Sequence, residues 1–467
     1  MKINMLSNRI LPELLLLLPL ILILLLVACT APKKEIPVTK EPPESFVSHP
    51  EWSRNATIYE VNIRQFTPEG TFEAFSQHIP RLKKMGVDIL WLMPIHPIGE
   101  KNRKGSLGSY YSVRDYKGVN PEFGSLDDFK KLVGTAHSQG MKVIIDWVAN
   151  HTSWDHAWIT EHPEWYTKDS LGNMIAPFDW TDVAELNFDN AELRSAMIDA
   201  LKYWIVEADI DGYRCDVAAE VPVDFWESAR AELDRIKPVF MLAEAEKPEH
   251  HTRAFDMSYA WELHHIMNSI TKGKKNANEL ETYFIRQDTL YPADAYRMAF
   301  TSNHDENSWQ GTEFERMGAG SVCMAVLTAT LPGMPLIYSG QESAFNQRLR
   351  FFDKDTIDWS DYRLEPFYQK LFALKHAYQP LWNGSWGGKL NRINTSADTA
   401  VFAFTREKEG DKVFVLANLT GDVKEFKLKG ESFAGDYKEW FSEEEMAFKK
   451  GDAVRLKPWE YRVYVLK

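Results

Sequence analysis

Residues 210–216 read Ile-Asp-Gly-Tyr-Arg-Cys-Asp: a short apolar run that ends in two charges, Arg214 and Asp216. The same pattern recurs in Met141–His151 (MKVIIDWVANH), Val239–Glu244 (VFMLAE) and Met298–Glu306 (MAFTSNHDE). Segments this short, with apolar residues at nearly every position, are expected of parallel strands buried on both faces. Working outward, eight such strands are expected at Thr57–Phe66, Val87–Pro94, Met141–Val148, Ile210–Val217, Val239–Ala245, Asp256–Ala260, Met298–Asn303 and Pro335–Gly340. Amphipathic stretches lie between them: Phe72–Met85, Leu126–Gln139, Ala191–Val206, Asp224–Ile236 and Gly320–Leu331. Strands alternating with helices in this way predict an α/β fold, a (β/α)₈ TIM barrel. A doubly wound open sheet fits less well, because no Gly-rich phosphate turn follows the first strand.

One connection is too long for a simple crossover. Residues 151–187 show no helix period but carry Trp154, Trp158, Trp165, Tyr166, Phe178 and Trp180. An insert after strand three falls on the face where barrel loops build clefts; its rings also suit a loop packed on itself. The barrel is expected over residues 51–385. From 386 to 467 alternating segments with Gly and Asp turns predict a C-terminal antiparallel β domain of sandwich type, with strands at Thr399–Thr405, Lys412–Asn418, Val423–Leu428, Ala453–Leu456 and Arg462–Leu466.

In such a barrel functional groups sit where strands end. Those ends read Asp146 to His151, Arg214 to Asp216, Glu244, and Asn303 to Glu306. Carboxylates, imidazoles and a guanidinium at four strand ends are not packing residues, since such groups are rarely buried without partners. Two carboxylates flanking a bond are the minimum equipment for glycoside hydrolysis, and retention of configuration needs them roughly 5–5.5 Å apart. Neighbouring strands lie about 4.8 Å apart, so Asp216 and Glu244 meet that spacing. Arg214 and Asp216 share one side of their strand, which keeps Asp216 ionised and oriented. Glu244 follows Phe240-Met-Leu-Ala, where apolar burial is expected to keep a proton available on it. Asp305 is the third carboxylate.

These motifs, in this order, resemble the alpha-amylase family of glycoside hydrolases: DWVANH (146–151), GYRCD (212–216), Glu244 and SNHD (302–305). The segments YSVRDYKGVNPEFGSLDDF, beginning at Tyr111, and PLIYSGQE (335–342) support the resemblance, which runs from about Ala56 to the C-terminus. It implies a retaining hydrolase of α-1,4-linked glucans such as starch and maltooligosaccharides. Asp216 then matches the nucleophile, Glu244 the general acid/base and Asp305 the transition-state stabiliser. Arg214 matches the residue that positions the nucleophile, His151 and His304 a pair that binds the sugar, and Tyr111 a ring that stacks on it. Asp146 is read as a structural partner of Arg214. An α-glucan transglycosylase or isomerase shares the same trio, and a non-catalytic glycan-binding protein is the remaining alternative. Many members carry Lys-His after the nucleophile; here Ala219-Glu220 stands there, which puts acceptor-side binding in question. Asn150 and Glu185 match positions that often hold Ca²⁺, but two donors fall short of the roughly six to eight oxygens that ion takes, so calcium stays open. No organic cofactor is implied.

The N-terminus carries an address. Lys2 and Arg9 precede a run of Leu and Ile from Leu14 to Val27, followed by Ala28-Cys29. Its length and flanks are those of a secretory signal, and small residues before a Cys resemble a bacterial lipobox, with Cys29 the lipidated residue. Residues 30–50, rich in Pro, Lys and Glu, read as a flexible spacer. The expected location is outside the cytoplasm, on a bacterial membrane. The net charge is −13, and −14 without residues 1–28, which argues against nucleic acid as a partner. Cys215 and Cys323 do not make a disulfide framework and are expected as small core residues.

Overall fold

The computed structural model describes residues 43–467; the signal-like run, Cys29 and most of the spacer lie outside the described residues. Eight parallel strands close into a barrel: β1 Ile58–Val61, β2 Ile89–Leu92, β3 Lys142–Trp147, β4 Gly212–Cys215, β5 Phe240–Ala243, β6 Met257–Tyr259, β7 Tyr296–Phe300 and β8 Met334–Tyr338. β1 pairs with both β2 and β8, which closes the ring without an open edge. Every residue of β1, β2, β4 and β5 is buried, as expected of strands covered on both faces.

Strand period two sorts the side chains. Ile58, Ile89, Ile144, Phe240, Leu242, Met257, Met298 and Leu336 fill the barrel interior. Tyr59, Leu90, Val143, Ile145, Tyr213 and Met241 face outward into the larger core under the helices. Two positions after Ile58, Ile144 and Leu242 on the same side come Glu60, Asp146 and Glu244. The upper filling of the barrel is therefore ionic. Gly212 is required at the foot of β4, because a Cβ there would stand 1.9 Å from the Phe240 carbonyl oxygen.

Each predicted strand overlaps a barrel strand, although β7 and β8 begin two residues and one residue earlier than expected, and the first is shorter than expected. The chain leaves the sheet at Asn62, and Ile63–Phe66 forms a helical turn. The first predicted helix is two, Phe72–Ser76 and Ile79–Met85. The helix Leu126–Ser138 starts at a full capping box between Ser125 and Asp128, and Ala191–Ala208 is capped by the Asn190 side chain. The insert after β3 is held by two short strands, His151–Ser153 and Val183–Glu185, paired antiparallel.

The C-terminal part forms a six-stranded antiparallel sheet with strand order β9-β10-β11-β16-β13-β14, with a two-stranded ribbon, β12 and β15, beside it. The strands are β9 Leu390–Ile393, β10 Val401–Lys408, β11 Asp411–Asn418, β12 Lys424–Lys427, β13 Gly435–Glu439, β14 Glu445–Phe448, β15 Ala453–Leu456 and β16 Tyr461–Leu466. Sequence reading missed β9, β13 and β14; β9 and β14 are the sheet's edges, where short polar strands such as Leu390-Asn-Arg-Ile carry little apolar signal. The expected alternation also fails in the central strands. Phe402, Phe404, Val413 and Val415 join the barrel-side core, while Val401, Ala403, Phe414 and Leu416 pack with Phe426 and Leu456 of the ribbon. Both faces of this sheet are covered. Among the described residues no helix is long and apolar enough to cross a membrane, and Cys215 and Cys323 are buried free thiols, as expected.

Candidate active site

Strand ends place the charged groups without help from long loops. Asp216 N donates to the Trp147 carbonyl (2.9 Å) and Glu244 N to the Cys215 carbonyl (3.0 Å), so both residues extend the barrel ladder one step past β4 and β5. Their side chains meet at Arg214, which is fully buried. Its Nη1 donates to Asp146 Oδ1 (2.8 Å) and Asp216 Oδ1 (2.9 Å), and its Nε to the Tyr259 hydroxyl (3.1 Å). Nη2 lies 2.9 Å from Glu244 Oε2, an ion-pair contact off the line of a hydrogen bond. One guanidinium thus touches three carboxylates on three adjacent strands.

The surroundings of Glu244 differ from the apolar setting expected. Its Oε2 accepts the Val217 N–H at 2.7 Å and faces Arg214. Val217 pays for that contact with φ +35°, a left-handed conformation that β-branched residues rarely adopt. Strain of this kind beside Asp216 marks a position where geometry is held by the surrounding fold.

Across the cavity His304 brings in Asp305. His304 Nε2 lies 2.8 Å from the Tyr111 hydroxyl and 3.3 Å from Asp305 Oδ2, and its Nδ1 contacts Glu60 Oε1. The Tyr111 hydroxyl in turn donates to Asp146 Oδ2 (3.1 Å). The Tyr111 ring stacks on His304 (centroids 5.4 Å apart) and on Phe351 (6.1 Å). Glu306, next in the motif, turns away and pairs with His264 Nε2 at 3.0 Å.

Five carboxylates, Glu60, Asp146, Asp216, Glu244 and Asp305, share two cationic partners, Arg214 and His304. Contrary to the ionised state expected from Arg214, burial pushes Asp216 well above the usual carboxylate range, and the charge of Glu244 adds to it; Arg214 opposes this without outweighing it. Burial raises Asp146 and Asp305 as well, against the pull of Arg214 on the first and His304 on the second. Asp146, Asp216 and Asp305 therefore hold protons to higher pH than isolated carboxylates do, and titrate as a set.

The cavity above these groups has a volume of about 440 Å³, a size suited to a small-molecule site. Tyr111, His151, Asp216, Glu244, His304 and Asp305 all line it. His151 is buried against Trp180 (5.4 Å) and is lowered by burial to about 4, hence neutral near pH 7. Residues that sequence reading did not single out for the site form the rest of the wall. Trp309, Phe351 and Phe352 make an aromatic side, with Trp309 and Phe351 5.2 Å apart. Lys104 and Asp182 make an ion pair (2.8 Å) on another. No local pattern announces Phe351 or Lys104, which lie in loops; Glu60 had a signal, an acid in the otherwise apolar β1, that went unused. Within the insert Trp165 and Tyr166 are buried, with Trp158 stacked edge-on at 5.0 Å from Trp165, and Trp180 is the tryptophan that reaches the cavity.

The calcium candidates come near each other but do not form a cage. Asn150 turns its amide to His151 Nδ1 (3.3 Å), and His151 is the cross-strand partner of Glu185. Among the described residues no three His, Cys, Asp or Glu side chains gather around a common point. Asn150 and Glu185 by themselves supply two of the six or more oxygens that a Ca²⁺ site takes. Ala219-Glu220 lies in a short 3-10 turn after Asp216, where Lys247 donates to the Ala219 carbonyl (3.0 Å).

Known proteins match this architecture over most of the chain. The family model "Alpha amylase, catalytic domain" matches residues 43–382, and "Alpha-amylase SusG C-terminal domain" matches residues 401–463. A solved alpha-amylase from Lactobacillus plantarum is 31% identical, with a TM-score of 0.78 over 89% of this chain and 100% of that one. The maltogenic alpha-amylase AmyB from Thermotoga neapolitana, described as noncanonic, is 28% identical, with a TM-score of 0.81 over 88% of this chain and 98% of that one. Alpha-amylase MalA of Haloarcula japonica is 29% identical over 79% of this chain; the matched part is 56% of that protein. With the barrel, the strand-end cluster and these matches in agreement, the chain belongs to the alpha-amylase family.

Proposed function

We propose that the protein is a retaining glycosidase that cleaves α-1,4-linked glucans, and that its chemistry runs on Asp216, Glu244 and Asp305. The observation that carries this reading is Arg214, whose single guanidinium touches both Asp216 and Glu244 at the ends of neighbouring strands. In the first step an Asp216 oxygen attacks the anomeric carbon while the leaving glycosidic oxygen takes a proton from Glu244. In the second, Glu244 takes a proton from water, whose oxygen displaces Asp216 from the same carbon. Two inversions give net retention. Asp305 and His304 face the same cavity and serve the sugar hydroxyls and the positive charge that develops on the ring. Tyr111, stacked on His304 and on Phe351, lines the same cavity and offers its ring to the sugar.

The test is a product profile. Incubation with starch, maltooligosaccharides, pullulan and cyclodextrins is expected to release short maltooligosaccharides, with the first product in the α configuration by NMR. Absence of turnover on every α-glucoside, with glycan binding intact, overturns the enzyme reading. Products larger than the substrate supplied move the assignment to transfer.

The address at the N-terminus supports a second proposal, that Cys29 carries lipid and holds the enzyme on the outer side of a bacterial membrane. Several acyl chains, at about 0.8 kcal/mol per buried CH₂, would make such attachment effectively permanent. A Cys29→Ser protein that stays membrane-bound rather than being released overturns it. Calcium is not part of the proposed mechanism.

A further inference from the structure

Glu60 is a buried acid of the site with one oxygen left unpaired. It is fully buried in β1, its Oε1 contacts His304 Nδ1, and its Oε2 has no hydrogen-bond partner. A buried carboxylate with one orphan oxygen is expensive, and a glutamine of the same shape would fill the space at lower cost. Among the described residues His304 is the side chain that contacts it, and Arg214 adds a weaker pull.

The hydrogen-bond directions around His304 give that expense a purpose. The Tyr111 hydroxyl has one proton and donates it to Asp146 Oδ2, so toward His304 Nε2 it acts as acceptor. Asp305 Oδ2, the other neighbour of Nε2, is an acceptor as well. With Asp146 and Asp305 ionised, Nε2 therefore carries a proton. Nδ1 faces the Glu60 carboxylate, so it too is placed as a donor. We propose that Glu60 is a positioning residue for the reaction, holding His304 as a doubly protonated ring whose Nε2–H is aimed into the cavity between Tyr111 and Asp305. This rests on the glycosidase reading for its kinetic consequence, but not for the state of the ring.

The groups around His304 from each neighbouring element are consistent with this. Arg214 of β4 opposes a second cation. Asp305 on its own segment and Glu60 of β1 favour it; Trp91 of β2 and Phe351 after β8 present uncharged rings. Tyr338 of β8, the register partner of Glu60, is a neutral neighbour whose hydroxyl is raised by burial and by the charge of Glu60. Burial lowers His304, yet Asp305 and Glu60 outweigh it and lift the ring to about 9. Burial raises Glu60 also, against the pull of His304, so the pair holds its proton through neutral pH. Activity that needs this proton is lost as pH rises through the value of the bound ring. Removing the charge of Glu60 lowers that value and moves the alkaline limb of the pH–activity profile toward neutrality.

Glu60→Gln keeps the shape and removes the charge. The expected result is a melting temperature equal to or above that of the wild type, and a kcat lower by about tenfold to a hundredfold, the usual cost of losing a group that orients a functional imidazole. The alkaline limb is expected to move to lower pH. In protein labelled with ¹⁵N-histidine, the His304 ring, assigned with a His304→Gln variant, should be doubly protonated at pH 7 in the wild type and titrate at lower pH in Glu60→Gln. A purely structural Glu60 predicts an unchanged alkaline limb and an unchanged His304 titration, and either result overturns the proposal. The NMR titration needs no substrate, so failure of the glycosidase reading would leave it intact and be seen separately.

Discussion

At the C-terminal rim of the barrel Arg214 is buried among Asp146, Asp216 and Glu244, whereas at the opposite end Arg406 and Lys375 are buried with backbone carbonyls as their hydrogen-bond partners. Arg406, from β10, donates to the carbonyls of Thr330 and Leu331 (3.1 and 3.0 Å), of Gly388 (3.0 Å) and of Trp382 (3.3 Å). Lys375 donates to the carbonyls of Gly333 (3.0 Å) and Leu381 (2.6 Å). Thr330 ends the helix Ser321–Thr330, so Arg406 meets the negative end of that helix just before β8. Burial lowers Arg406 to about 9 and Lys375 well below its usual range. The lower end thus uses cations to satisfy carbonyls that a domain junction would otherwise strand. The rim gathers more negative charge than its cations neutralise, an arrangement that costs stability and suits a site waiting for developing positive charge.

The comparison is broken most directly at the rim. Asp216→Asn and Glu244→Gln should each lower kcat by at least about 10³-fold, measured on maltooligosaccharides, without loss of fold. For Asp216 the stability effect has a definite sign. Its carboxyl is raised in the native state, so between the unfolded value and that raised value the native state holds the extra proton, and stability falls as pH rises through that window. Asparagine removes this penalty, and the variant should melt at or above the wild-type temperature at pH 7. A clear drop would mean that Asp216 is a structural ion-pair partner like Asp146.

At the lower end the outcome is expected to reverse. Arg406→Ala strands four carbonyls and should destabilise by about 3 kcal/mol, read as a lower denaturant midpoint, with kcat per folded molecule unchanged. Loss of kcat without loss of stability would remove the distinction between the two ends. The smallest effect is expected on the cavity's aromatic wall. Trp309, 51% exposed, follows Asp305 in a π-helical turn and rests against Phe351. Trp309→Ala should raise KM about threefold to tenfold with little change in kcat, the worth of one stacking contact.

Legibility in the sequence followed the range of the interactions involved. The barrel strands were readable because each is a local apolar run, and Arg214, Asp216, Glu244 and Asp305 because strand ends are where such a barrel exposes charge. The edge strands β9 and β14 were not, since half their pattern is polar. Trp309, Phe351 and Lys104 reach the cavity through loops whose paths depend on contacts far along the chain.

Strand periodicity and the order of the four motifs were enough to determine the (β/α)₈ architecture and the side of the barrel that carries the acids. What surrounds each acid was decided only by the closed ring. Closure sets β1 beside β8 and next but one to β7, so that Glu60, 244 residues before His304 in the chain, can meet its Nδ1. It likewise brings the Val217 N–H, rather than an apolar shell, to Glu244. Burial and charge pairing act through space, and their balance at a given carboxyl is fixed by neighbours that the linear chain does not name.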